Sequence, residues 1–352
     1  MANRYWVGGA GSWTTSSTTN WSASSGGSSG ASVPTASDSV FFDQAGTYTV
    51  TVTGPLTCLD FTVSLGVVTF SVSSGFNEIT ISGSMALSSG TVSSWSSDFG
   101  IIFNATTSKT ISTNNISIGR TEFNGVGGTW TLGSAFACSG AGNGGLVNLT
   151  NGTFSTSSSN YSVTSREFTS NNSNTRTLNL NASTYTLTLG IWTCTTSTNL
   201  TVSGSGATVT MTRSTAKTFS GGSANWGAIT LDQGGAGQLT ISGSNTFANI
   251  SNSYNATGAT SIRFTSGTTQ TVTSFTAEGT SGNILTIDST TPATAATLSK
   301  ASGTVSVSFL SIQDSTATGG ATWNALNSTN VSGNTGWVIT APTTSPNFFL
   351  VM

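Results

Sequence analysis

The chain has no histidine, and only nine basic and eleven acidic residues among 352, so charged side chains make up 6% of it. Ordinary globular domains carry roughly 25%. The missing histidine excludes nucleophilic triads in their usual form. The basic residues run from Arg4 to Lys300 without a cluster and the net charge is −2. No Lys/Arg stripe is available to neutralise phosphates, so nucleic acid is not an expected partner.

Cysteine is scarce too. Cys58, Cys138 and Cys194 are odd in number and far apart, without the close spacings of zinc or redox motifs. They read as reduced core residues, and neither metal nor cofactor is expected. No apolar run approaches the ~20 residues of a membrane span. The opening MANRYWVGGAGSW lacks the basic start and apolar stretch of a secretory signal. The expectation is a protein without membrane insertion, assembled in a cytoplasm without Sec export.

What is present is β-forming. Thr, Val, Ile and Phe recur, and nine Trp occur, which is not the composition of a disordered chain. From Thr47 onward, apolar residues alternate with Ser and Thr in short runs such as TYTVTVTG, NEITISGSMAL, TRTLNLNASTYTLTLG and TVSVSFLSIQD. Period two marks half-buried strands. Between the runs lie Gly, Asn and Ser clusters, NGVGG and QGGAG among them, which supply positive-φ turn positions. No 3.6-residue pattern of any length is present, so helices should be scarce.

Short phrases return in varied form, ISGS at Ile81–Ser84 and Ile241–Ser244, VSGS at Val202–Ser205. Irregular strand–turn repeats fit a solenoid whose coils touch only their neighbours. The predicted fold is therefore all-β, a right-handed parallel β-helix. A string of sandwich domains would need linkers, but there are only five prolines and no break in composition. A propeller would show a blade-length period, which is absent. With about 20–25 residues per coil and about 4.8 Å per stacked strand, the body would hold about a dozen coils over about 60 Å.

Solenoid ends must hide open edges. Residues 1–46 read as an aromatic-rich cap or attachment segment, with Trp6, Trp13, Trp21, Phe41 and Phe42 as its candidates for plugging the lumen or meeting a partner. Residues 47–340 form the solenoid body. Residues 341–352 form a Pro-punctuated linker and an apolar docking tail, Phe348, Phe349, Leu350, Val351 and Met352. Such a tail folds back over the last coil or docks into a neighbouring subunit.

The phrases RYWVGGAGSW, NWS and VPTASDSVFFD near the start, and SIQDSTATGGATWNALNSTNVSGNTGW near the end, resemble Ser/Thr/Gly-rich β-helical virion proteins of tailed bacteriophages. The NWS-to-Pro-to-Asp phrase is also similar to repeats of autotransporter passengers, which carry a signal peptide and membrane barrel not seen here. The phage resemblance covers about 70 residues at the two ends. It implies a fibre-like or decorating virion component without shared catalytic residues. Such a component is assembled in the host cytoplasm and displayed on the particle, as a homo-oligomer, a trimer by the habit of phage spikes. Its partners would be other tail or capsid proteins and a host surface glycan.

Catalysis is weighed on the acids. Asp38 and Asp43 are the only two within five residues, and both lie in the cap segment. A carboxylate pair at glycosidase spacing could otherwise form only across coils, Glu278 with Asp288 or Asp314 for instance. Arg166 and Glu167 read as a local charge pair. The protein is not expected to be an enzyme. Trp95, Trp130, Trp192 and Trp226 either stack on sugar rings or fill coil corners, and the second is preferred. Thr-x-Thr runs prompt an ice-binding reading, which needs more regular coils than these; strand preference explains the runs.

Overall fold

A computed structural model describes residues 1–138, 140 and 142–342. Short strands make up over half of the chain, and no α-helix occurs among the described residues. The contacts group into two units, Met1–Thr210 and Met211–Met352. Each unit is a parallel β-solenoid, and about 13 turns are counted over the two.

In unit 1 the alternation of the sequence becomes alternation of faces. The strand Thr47–Val52 buries Tyr48, Val50 and Val52 and turns its threonines outward. Parallel register then stacks like on like. Cys58, Ile81, Phe103, Phe123 and Leu149 are successive partners in one inward column, all fully buried. A second column runs Val50, Phe70, Trp95. Each such buried side chain contributes about 1.5–3 kcal/mol. Outside, the hydroxyls of Thr51 and Ser71, and of Thr69 and Ser93, hydrogen-bond across coils at 3.0 and 2.7 Å.

Corners need special backbone. Gly66 has φ 74°, and a Cβ there would run into the Gln44 carbonyl; both constraints demand glycine. Asn181 takes φ 47° at the corner after the strand Arg176–Asn179, a conformation asparagine tolerates.

Unit 2 repeats the scheme, with Leu239, Ile262, Ile287 and Ile312 in one fully buried column. Coil length is not constant. Ile262 to Ile287 spans 25 residues, Val305 to Trp323 18, and Trp323 to Trp337 14. The final coil is also the barest. Among the described residues the strand Thr329–Ser332 pairs only with Leu310–Gln313, with a bulge at Val331, and all four of its residues are exposed. The strand Trp337–Ile339 likewise pairs only with Thr322–Leu326 among the described residues. Leu326, Val331 and Val338 are 40%, 50% and 56% exposed.

The start of unit 1 is closed along one sheet, while its strand Gly11–Trp13 pairs only with Thr47–Val52 among the described residues. The strand Asn3–Trp6 lies between the antiparallel two-residue strand Trp21–Ser22 and the parallel strand Ser39–Phe42. Very short edge strands are one means of blunting a sheet edge.

Candidate functional site

The cap aromatics come together, and four of the five point inward. Trp6, Trp13, Trp21 and Phe42 are 0–1% exposed. The Trp21 ring meets Trp6 edge-on at 5.2 Å and Trp13 at 5.0 Å, and Phe42 lies 5.9 Å from both of those rings. Edge-to-face packing of this kind adds about 0.5–1.5 kcal/mol per pair to the burial itself. The Trp6 indole N–H donates to the Gly9 carbonyl at 2.8 Å. Strand alternation sends Phe41 to the opposite face, where it stacks on Tyr5 at 4.9 Å and both stay partly exposed. Among the cap aromatics, the Tyr5–Phe41 pair, beside Arg4, is the one left partly open to solvent. The tail candidates Phe348, Phe349, Leu350, Val351 and Met352 lie outside the described residues.

The tryptophans farther along are buried as well. Trp130, Trp192 and Trp226 are fully enclosed and Trp95 is 8% exposed. Trp95, Trp226 and Trp323 donate their indole N–H to the carbonyls of Phe99, Gly221 and Thr318 at 3.0–3.1 Å. These rings fill the lumen, the last three also satisfying carbonyls, and they present no face to a sugar.

The acids act as ties between segments. Asp38 accepts from the Ala2 amide (2.9 Å), the Thr35 amide (3.1 Å) and the Thr35 hydroxyl (2.7 Å). Burial pushes this carboxyl up. The Thr35 and Ala2 hydrogen bonds, with Arg4 nearby, outweigh that and hold its pKa below the ordinary 3.8. Asp60 accepts from Ser39 of the preceding coil and the Ser84 amide of the next, at 2.8 and 2.7 Å. Asp232 holds Ser251 and Ser253, and Glu278 takes the Ser308 amide.

Of the three acids singled out across coils, two share a cleft. Asp288 and Asp314 line a cavity of about 160 Å³ with Arg263, Ser289, Thr290, Pro292 and Gln313, while Glu278 is not among its lining residues. Arg263 and Asp288 are ladder partners, and the guanidinium Nε lies 3.0 and 3.1 Å from the two carboxylate oxygens. Asp314 accepts from the Ala293 amide at 3.0 Å. An acid neutralised by a paired guanidinium is poorly placed as a base. Among the described residues no group of three His, Cys, Asp or Glu could hold a metal ion. The cysteines are free and buried, and burial pushes the Cys138 and Cys194 thiols up to about 12, which makes them inert.

Two buried cations escaped the sequence reading. Arg176 is fully enclosed in unit 1, with Nε donating to Ser170 Oγ and Nη1 and Nη2 to Asn172 Oδ1 and the carbonyls of Ser170, Asn174, Thr196 and Thr198. Those acceptors belong to two successive coils, so one guanidinium knits both corners. Burial lowers its pKa, but an arginine stays charged. In unit 2, Lys217 is 1% exposed and its Nζ donates to the Gly235 carbonyl at 2.9 Å. Burial lowers its pKa from 10.5 to about 7, against the pull of Asp232. Gln233 and Thr260 complete the knot around the same loop through the Gly235, Ala236 and Gly237 carbonyls. The signal was in the alternation: Arg176 stands in phase with Leu178 and Leu180, and Lys217 with Phe219. A cation at an inward position needs a carbonyl cage.

No family model, curated protein or solved structure matches the chain. The functional reading therefore rests on the residues themselves.

Proposed function

We propose that the protein is a non-enzymatic structural component of a tailed-phage particle, an extended β-solenoid appendage of the tail that takes part in host adsorption. The observation that carries this reading is how the few functional groups are spent. Carboxylates, guanidinium and indole N–H groups at Asp38, Asp60, Arg176 and Trp95 tie coils together rather than converging on a reaction centre. The end phrases that resemble β-helical virion proteins support the same reading, and short strands paired coil on coil suit a part exposed to proteases.

In this role the cap meets the particle through Tyr5 and Phe41, and the protein works as a homo-oligomer, with a trimer as the form expected of a spike. Capsid decoration is the second reading. It is favoured by Val331 and Val338, which stand exposed on the final coil among the described residues, a surface suited to contacts with neighbouring subunits. A glycan or ice surface is a weaker occupant, because the rings are enclosed and the coils are unequal in length.

Immunogold labelling or cryo-EM of purified particles tests the proposal. Labelling of the tail or its fibres is the expected result. Regular labelling over the head moves the protein to the decoration class, and absence from particles overturns both.

A further inference from the structure

Polar side chains elsewhere in the fold are fully engaged in holding coils together. Both carboxylate oxygens of Asp38, Asp60 and Asp232 accept hydrogen bonds, and all three nitrogens of the Arg176 guanidinium donate. The cleft of about 160 Å³ in unit 2 departs from that rule. Arg263 reaches Asp288 through Nε and Nη2, and its Nη1 meets no acceptor among the described residues. Asp314, only 4% exposed, accepts from the Ala293 amide and from Gln313 on Oδ2 alone, so Oδ1 stays open among those residues. Gln313 has a single side-chain bond, the 3.3 Å one to Asp314, and keeps Oε1 and one N–H in hand. Ladder pairing fixes these groups on three successive coils.

We propose that this cleft binds one neutral sugar residue, a pyranose ring of a glycan, by hydrogen bonds alone. The unengaged groups select that chemistry. They are donors on Arg263 and Gln313 and acceptors on Gln313 and Asp314, lining one cavity. An anion entering it would face Asp288 and Asp314. A metal ion would face the guanidinium, and no third acidic ligand joins the two aspartates among the described residues. A sugar hydroxyl both donates and accepts, so neighbouring hydroxyls on a ring satisfy both kinds of group together. The volume falls below the ~300–1,000 Å³ of pockets for drug-sized ligands, which suits a single ring rather than an oligosaccharide. The enclosed tryptophans supply no stacking platform, and here none is required. Groups held on paired strands are preorganised, so little ordering opposes binding.

The inference deepens the adsorption reading and rests on it for its biological role. Binding is measured on the isolated chain and location on particles, so either can fail without the other. One ring held this way should bind with Kd on the order of 1 mM, and many copies on a particle would raise the effective affinity.

Saturation-transfer NMR on the full chain tests the site, with the methyl glycosides of glucose, galactose, mannose and N-acetylglucosamine as probes. Transfer to at least one of the four is expected. Gln313→Glu removes the N–H donor and adds a third carboxylate at nearly constant size, and should weaken that sugar at least ten-fold. Thr290→Tyr, at an exposed lining position, fills the cleft and should abolish transfer. Val126→Lys, at a 73% exposed site in unit 1, should leave it unchanged, and thermal melting of each variant shows that the fold is retained. Absence of transfer to all four probes overturns the proposal. So does transfer that survives both cleft substitutions, because the sugar then binds elsewhere. Calcium chloride and sodium phosphate, each titrated alone, separate the remaining occupants. Calcium binding that tightens in Gln313→Glu would make the cleft a cation site, and phosphate binding lost in Thr290→Tyr would make it an anion site; either result overturns the assignment to a neutral sugar.

Discussion

The first coil of unit 1 and the last coil of unit 2 are both rich in tryptophan, and each has a three-residue strand paired on one side only among the described residues, but their rings are covered to different degrees. At the first, three indoles pack against each other and Phe42, and Asp38 clamps the Ala2 amide to the Thr35 turn. At the last, Trp323 and Trp337 also meet, at 5.1 Å, but Trp337 is only partly covered and Thr329–Ser332 has no inward face at all. Aromatic content therefore does not make a cap. What makes one is a chain that folds back, as Trp21–Ser22 does against Asn3–Trp6, and a carboxylate that ties the return down.

The largest difference should appear when a ring is removed. Trp13→Ala leaves a void in an enclosed cluster and should lower the stability of unit 1 by about 3–5 kcal/mol. Trp337→Ala, at a half-open site, should remove about 1 kcal/mol from unit 2. Denaturant titrations followed by hydrogen exchange in each unit would show it, and equal losses would break the distinction between closed and open ends.

The two units should also part on a pH scale. Lys217 has its pKa lowered to about 7 by burial and regains 10.5 on unfolding, so between these values unfolding takes up a proton. Stability of unit 2 should then rise from about pH 7 to about pH 10 by a few kcal/mol, and Lys217→Met should flatten the rise. Unit 1 answers in acid. The lowered pKa of Asp38 means that its contribution is present above the unfolded value near 3.8 and is lost as pH falls through the lower folded value. Asp38→Asn should cost about 1 kcal/mol at neutral pH and reduce the acid-side loss. Smallest in energy is the local opening of the last coil. Amides of Thr329–Ser332 should exchange with solvent at least ten-fold faster than those of Asn3–Trp6. Comparable protection would show that the last coil is covered in solution.

Much of this was legible from the residues. Alternation in TYTVTVTG and NEITISGSMAL gave the faces of their strands, Gly and Asn clusters gave the corners, and the concentration of Trp6, Trp13 and Trp21 marked the closed end. Alternation also separates Phe41 from Phe42, although both were grouped as cap candidates. What stayed hidden depends on register between coils. Arg263 meets Asp288 only because the intervening corners add up to a 25-residue coil, and coil length varies with loops that carry no periodic signal. The same holds for Asp60 reaching Ser84 and for Arg176 reaching Thr196 and Thr198. The bareness of the last coil was invisible for another reason: exposure there follows from the lack of a next coil among the described residues, and TNVS reads like any other strand.

The column Leu239, Ile262, Ile287, Ile312 has a consequence at the level of the gene. Each aliphatic side chain sits on another of nearly the same size, whereas the neighbouring inward column on the same strands changes from Ile241 to Phe264 to Ser289. An in-frame loss or duplication of one repeat moves the remaining layers together and still leaves isoleucine on isoleucine or leucine. Unequal recombination by whole layers would therefore leave this column intact and place its whole demand for compensating substitutions on the column of Ile241, Phe264 and Ser289.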